Sequence, residues 1–272
     1  MADNPPMPSA LPRHGLVLVA VILGLWGFAL FARVLPTPAV LGVWFLVALV
    51  MLDALLPRKR LRRRAWLGVF FRERSAWRRR LRGGLLMAGL QLCKALVLSA
   101  ALLSLLVRVE DTAVWRLLVA GALMLVLVRA WVQRWFAREL NPAWRPEPVW
   151  WLSLRVAGVA LLLMLVLLAF QRPQPDFTEA SLAQAVWHQL DQEAARSDVL
   201  HEAVRMLAAK EGFQLWLGQH LSGLPVAGGA MVALVWLLVF LEQGLFVVGL
   251  LVLFNGALSR LPPDAVGERH GN

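Results

Sequence analysis

The chain has 272 residues, of which 59% are hydrophobic, and a mean hydropathy of +0.64. Soluble domains carry about 45–50% apolar residues, so an ordinary water-soluble core is excluded. Lys and Arg number 28 against 17 Asp and Glu, a net charge of +11, and the placement of that excess is informative.

A bilayer core of about 30 Å takes roughly 20 apolar residues as helix, because in lipid every backbone N–H and C=O must be satisfied within the segment. Six stretches meet this demand: 16–35, 39–56, 83–107, 113–132, 149–170 and 226–254. They predict an all-α, polytopic membrane protein. The chain divides into a tail (1–15), a transmembrane hairpin (16–56), an arginine-rich segment (57–82), three spans in 83–170 with a loop near 133–148, an insertion (171–225), a sixth span (226–254) and a second tail (255–272).

The first span is longer than a signal-peptide core, and Arg33 follows Ala32 where a processing site would be sought, so it reads as retained. Pro36 and Pro38 disfavour helix and enforce a turn into the second span. Residues 57–82 then hold twelve basic side chains, Arg58, Lys59, Arg60, Arg62, Arg63, Arg64, Arg72, Arg74, Arg78, Arg79, Arg80 and Arg82, against the single acid Glu73. Short basic loops stay in the cytoplasm. Arg134, Arg138 and Arg145 fall on the same side, whereas the alternate turns hold prolines or Glu110 and Asp111. Both termini are therefore expected in the cytoplasm, and the membrane is expected to be a bacterial-type cytoplasmic (inner) membrane.

Within the basic segment, Trp66, Phe70, Trp77 and Leu81 recur at helical spacing among arginines, which predicts an amphipathic helix in the interface plane. Such a face, with Arg58, Lys59, Arg60, Arg62, Arg63, Arg64, Arg78, Arg79, Arg80 and Arg82, would contact anionic headgroups at about 1 kcal/mol per basic residue. Nucleic-acid binding is the weaker reading, because flanking membrane helices already account for the arginines and tryptophans. Thirteen Trp and no Tyr make Trp the expected aromatic group at headgroup depth. Cys93 has no partner cysteine and is expected to be a small buried hydrophobe.

The insertion carries seven acids and four bases, in keeping with an external position. Thr178 can cap a helix with Leu182, Val186 and Leu190, and Ser197 or Asp198 a second with Leu200, Ala203, Val204 and Leu207. Gly212 is expected to end that second helix, and 213–221, with Trp216, to form a third piece. About fifty residues are too few for an independent core, so the insertion is expected to pack on the membrane domain or on a protein partner.

Two charges fall at the centre of spans, Lys94 and Glu242, where each costs roughly 2.5–3.5 kcal/mol unless paired or hydrated. Counted from the cytoplasmic ends, they share nearly one depth, and a Lys94–Glu242 pair is expected, with Gln91 and Gln243 as satellites. Gly228, Glu242, Gly249 and Gly256 form one stripe, and Gly84, Ala88, Gln91, Ala95 and Ser99 another, so the third and sixth spans are expected to pack there. Arg33, Arg116, Arg129 and Arg155 lie close enough to span ends to reach headgroups, and Asp53 is expected to pair with Arg58 or Arg60.

His188, His201 and His220 do not make a metal site by spacing, since Arg205 stands where H-E-x-x-H needs its second histidine. The sequence offers no phosphate-binding glycine loop or nucleophile motif, so no metal, cofactor or catalytic residue is assigned. The expected role is a non-enzymatic membrane subunit or scaffold that assists or regulates an envelope complex, with protein partners through 171–225. The alternatives are a small transporter or channel subunit using Lys94 and Glu242, and a lipid-acting membrane enzyme.

Overall fold

Backbone groups that cannot stay bare in lipid leave the helix as the economical solution, and among the described residues every regular element is a helix. A computed structural model describes residues 10–70, 85–136, 146–171, 175–221 and 228–261. The helices are α1 (Ala10–Phe31), α2 (Thr37–Phe70), α3 (Leu85–Val107), α4 (Thr112–Phe136), α5 (Pro146–Gln171), α6 (Leu182–Leu190), α7 (Asp198–Leu221) and α8 (Gly228–Ser259). Six of them, α1 to α5 and α8, are long and apolar enough to cross a bilayer. The chain is a polytopic helical membrane protein.

The bundle has an arginine end, where α2 leaves and α3 begins, and an insertion end, where α3 turns into α4 and α6 and α7 sit. Helix α8 is the hub, packing on α1, α2, α3, α5 and α7, and Leu250 and Phe254 on it are fully buried with Leu18, Met51, Leu102, Leu118 and Leu161. Two glycines make that centrality possible. A Cβ on Gly249 would stand 3.3 Å from the Leu102 side chain and 3.4 Å from the Leu98 carbonyl, and one on Gly256 would overlap the Val50 carbonyl of α2. Small residues let helix backbones approach where no hydrophobic force between helices exists. The expected packing of α3 on α8 is present, with Ala95 and Ser99 buried, but Gly256 serves α2.

Several expectations change. Helix α2 runs through Pro57 without a break to Phe70, so the first part of the arginine-rich segment continues the helix of the second span, whose apolar stretch ends at Pro57. The side chains of Arg58, Arg62, Arg63 and Arg64, and all of Arg78, Arg79, Arg80 and Arg82, lie outside the described residues; Lys59 and Arg60 are exposed. Asp53 accepts from Arg260 at 2.7 Å, tying α2 to the end of α8. Cys93 is exposed on α3, not buried. Trp44 works inside the bundle, donating to the Leu96 carbonyl at 2.9 Å, an acceptor shared with the Ser99 hydroxyl at 3.0 Å.

The insertion folds as a helical hairpin. Ser181, not Thr178, caps α6 in a reciprocal capping box with Gln184, while Thr178 bonds to the Asp176 carboxylate. Ser197 starts α7, its hydroxyl accepting from Leu200. Gly212 does not end α7. It is buried where a Cβ would stand 2.7 Å from the Ala185 carbonyl, so its role is to let α6 approach.

Candidate functional site

The insertion is fastened to the bundle by charges. Arg108, in the turn that follows α3, donates to Glu193 at 2.8 Å and pairs with Glu211 of α7 at 2.5 Å. Burial pulls the Arg108 pKa down, but the Glu211 charge and the Glu193 hydrogen bond outweigh it and hold it above the ordinary guanidinium value. Lys210, one residue before Glu211, forms an ion pair with Glu242 of α8. Arg33, in the turn after α1, bonds to Glu110 at 2.9 Å and lies 3.8 Å from Glu193, and its carbonyl accepts from the Arg196 backbone at 2.9 Å. Charge-assisted bonds of this kind are roughly twice as strong as neutral ones.

These contacts enclose a cavity of about 820 Å³ between the insertion and the ends of α3, α5 and α8. Its polar lining residues are Arg33, Arg108, Glu110, Glu193, Glu211, Glu242 and five glutamines, 189, 192, 214, 219 and 243. Leu105, Leu165, Leu168, Val235, Trp236, Val239 and Phe246 are among its apolar lining residues. Trp236 is fixed by stacking on Phe170 of α5, centroids 4.1 Å apart. Gln219 anchors the lip of the insertion, accepting from the Phe177 backbone at 2.6 Å and donating to the Pro175 carbonyl at 2.8 Å. Pockets of about 300–1,000 Å³ that join apolar walls to a few fixed polar groups are the usual form of small-molecule sites.

The structure divides the residues expected to act together. Glu242 and Gln243 line the cavity, whereas Lys94 is exposed on α3 and Gln91 is half-buried on that helix. Glu242 is brought to Lys210, not to Lys94. The helix register supplies the reason. Because Gly249 faces Leu98 and Leu102 on antiparallel α3, Glu242, about two turns earlier, lies near the insertion end of α3, roughly 20 Å from the level of Lys94 at ~1.5 Å per residue.

Reading the spans separately also missed Arg108, Glu193, Lys210, Glu211 and Gln214. The available signal was the unbroken helical pattern through Gly212, which sets Lys210, Glu211 and Gln214 on one continuous helix. Two of the three histidines make local contacts. His188 lies edge-on to Phe177 and contacts Gln192, and His220 stacks on Trp216. Among the described residues no group of three or more His, Cys, Asp or Glu is arranged to hold a metal ion. Elsewhere, Arg155 lies over the Trp151 ring at 3.7 Å. No family model matches the chain, and no curated protein or solved structure is detectably similar to it.

Proposed function

We propose that this protein is a non-enzymatic ligand-binding subunit of a cytoplasmic membrane, a carrier or sensor that accepts an amphipathic molecule into the cavity between its insertion and α3, α5 and α8. The observation that carries this reading is the cavity's mixed lining, in which charged and amide side chains stand beside hydrocarbon ones at the end of the bundle. An amphipathic molecule could enter it without stripping its polar group of partners. The twelve basic residues of 57–82 support a cytoplasmic arginine end with both termini inside, and hence a cavity on the external side. They also support contact of that end with anionic headgroups. Relative to a transporter built on Lys94 and Glu242, the working group shifts to Glu242 and its neighbours in the cavity.

A second reading, a scaffold for an envelope complex, is favoured by a different surface. Val199, Met206 and Phe213 stand exposed at seven-residue spacing along α7, and Trp187 is exposed on α6. An apolar seam on a charged hairpin is the form of a helix-docking face.

Organic extraction of the tagged, detergent-purified chain, with mass spectrometry of the extract, separates the two readings. The ligand reading expects an amphiphile that co-purifies with the native chain and is depleted in a folded Val239→Trp variant, whose indole adds bulk to the apolar lining. Equal recovery from both variants, or stoichiometric protein partners without an amphiphile, would contradict it.

A further inference from the structure

The composition of the cavity wall indicates the ligand's chemistry. Among the described residues, four carboxylates, Glu110, Glu193, Glu211 and Glu242, line the cavity with two guanidinium groups, and with Lys210 neutralising Glu242 these acids still outnumber these bases. Both arginines are engaged, Arg108 between Glu193 and Glu211 and Arg33 on Glu110. An anionic headgroup would have to compete with carboxylates already in place and would meet an excess of its own charge.

Two polar atoms of the same wall are buried without a hydrogen-bond partner among the described residues: Glu193 Oε2 and Gln214 Nε2. Glu193 Oε2 lies 3.8 Å from Arg33 Nη2, beyond hydrogen-bond reach, and Gln214 is 5% exposed. Leaving a buried acceptor or donor unmade costs on the order of 1–3 kcal/mol. The carboxylate oxygen calls for an N–H donor, and the amide nitrogen calls for an acceptor oxygen.

Resting on the ligand-site reading, we infer that the ligand is an amphipathic amine. Its protonated nitrogen donates to Glu193, a neighbouring oxygen accepts from Gln214, and its hydrocarbon body lies along Leu168, Val239 and Phe246 of the lining. The amine supplies a donor to an oxygen that the donors of the described residues leave unmet, and no covalent step is involved.

The test uses the full chain in phosphatidylcholine nanodiscs at neutral pH, titrated with dodecylammonium and, separately, with laurate of matched chain length, each against empty discs. Saturable dodecylammonium binding at least about tenfold tighter than laurate is expected, the margin of one charge-assisted hydrogen bond. Glu193→Gln should weaken dodecylammonium about tenfold on the same reasoning. Arg33→Gln, which removes a competing cation at the rim, should tighten it, a gain that misfolding cannot produce. Laurate binding as tightly as dodecylammonium, or an Arg33→Gln variant that binds dodecylammonium more weakly, would overturn the amine assignment while leaving an amphiphile site in place. Saturable binding of neither probe would overturn the site itself.

Discussion

Lys210 of α7 and Glu242 of α8 form a half-buried ion pair that joins the insertion to the central helix of the bundle. Removing one partner leaves the other charge partly desolvated, so each single change costs more than removal of both. Lys210→Ala and Glu242→Ala should each lower thermal stability in detergent, and the double variant should recover part of the loss, with a coupling of about 1–2 kcal/mol. Additive losses would show that the pair contributes nothing of its own.

Arg108 should matter more than Arg33, although both are arginines in turns at the insertion end. Arg108 is the more buried and meets two carboxylates, whereas Arg33 and Glu110 are largely exposed. Arg108→Ala is expected to cost about 2–4 kcal/mol, in the range for breaking a buried pair, and Arg33→Ala no more than about 1 kcal/mol, as for surface pairs. Limited proteolysis of the 175–221 hairpin checks this: cleavage should rise sharply for Arg108→Ala and little for Arg33→Ala.

Three glycines of the long helices make opposite predictions. Gly256 and Gly212 each lie against a backbone carbonyl of a neighbouring helix, whereas a Cβ on Gly244 would meet nothing within 4 Å. Alanine at Gly256 or Gly212 should destabilise by about 1–3 kcal/mol through overpacking. Gly244→Ala should be neutral or stabilising by up to about 1 kcal/mol, the helix-propensity difference. Thermal unfolding of the three variants in one detergent tests the contrast.

The six spans were legible because each must satisfy its backbone alone, and their limits follow from local hydropathy: the first expected element, 16–35, and α1 (Ala10–Phe31) differ only at their ends. The α3–α8 contact was also legible, through Gly249 and Ser99. The partner of Glu242 was not. Counting residues from a span's end assumes that spans start level, but α8 extends to Ser259 and its register on α3 is set by Gly249 against Leu98 and Leu102. Gly212 misled for a related reason. Glycine reads as a helix stop in isolation, yet here it serves the close approach of α6, a tertiary fact absent from the local pattern.

Proximity cross-linking at Glu242 tests the architecture of the cavity most directly. In a Cys93→Ala background, Lys210→Cys combined with Glu242→Cys should be joined within one chain by a short bifunctional thiol reagent, and Lys94→Cys combined with Glu242→Cys should not. Efficient cross-linking of the second pair and none of the first would contradict the clamp between α7 and α8, and with it the cavity that the clamp frames.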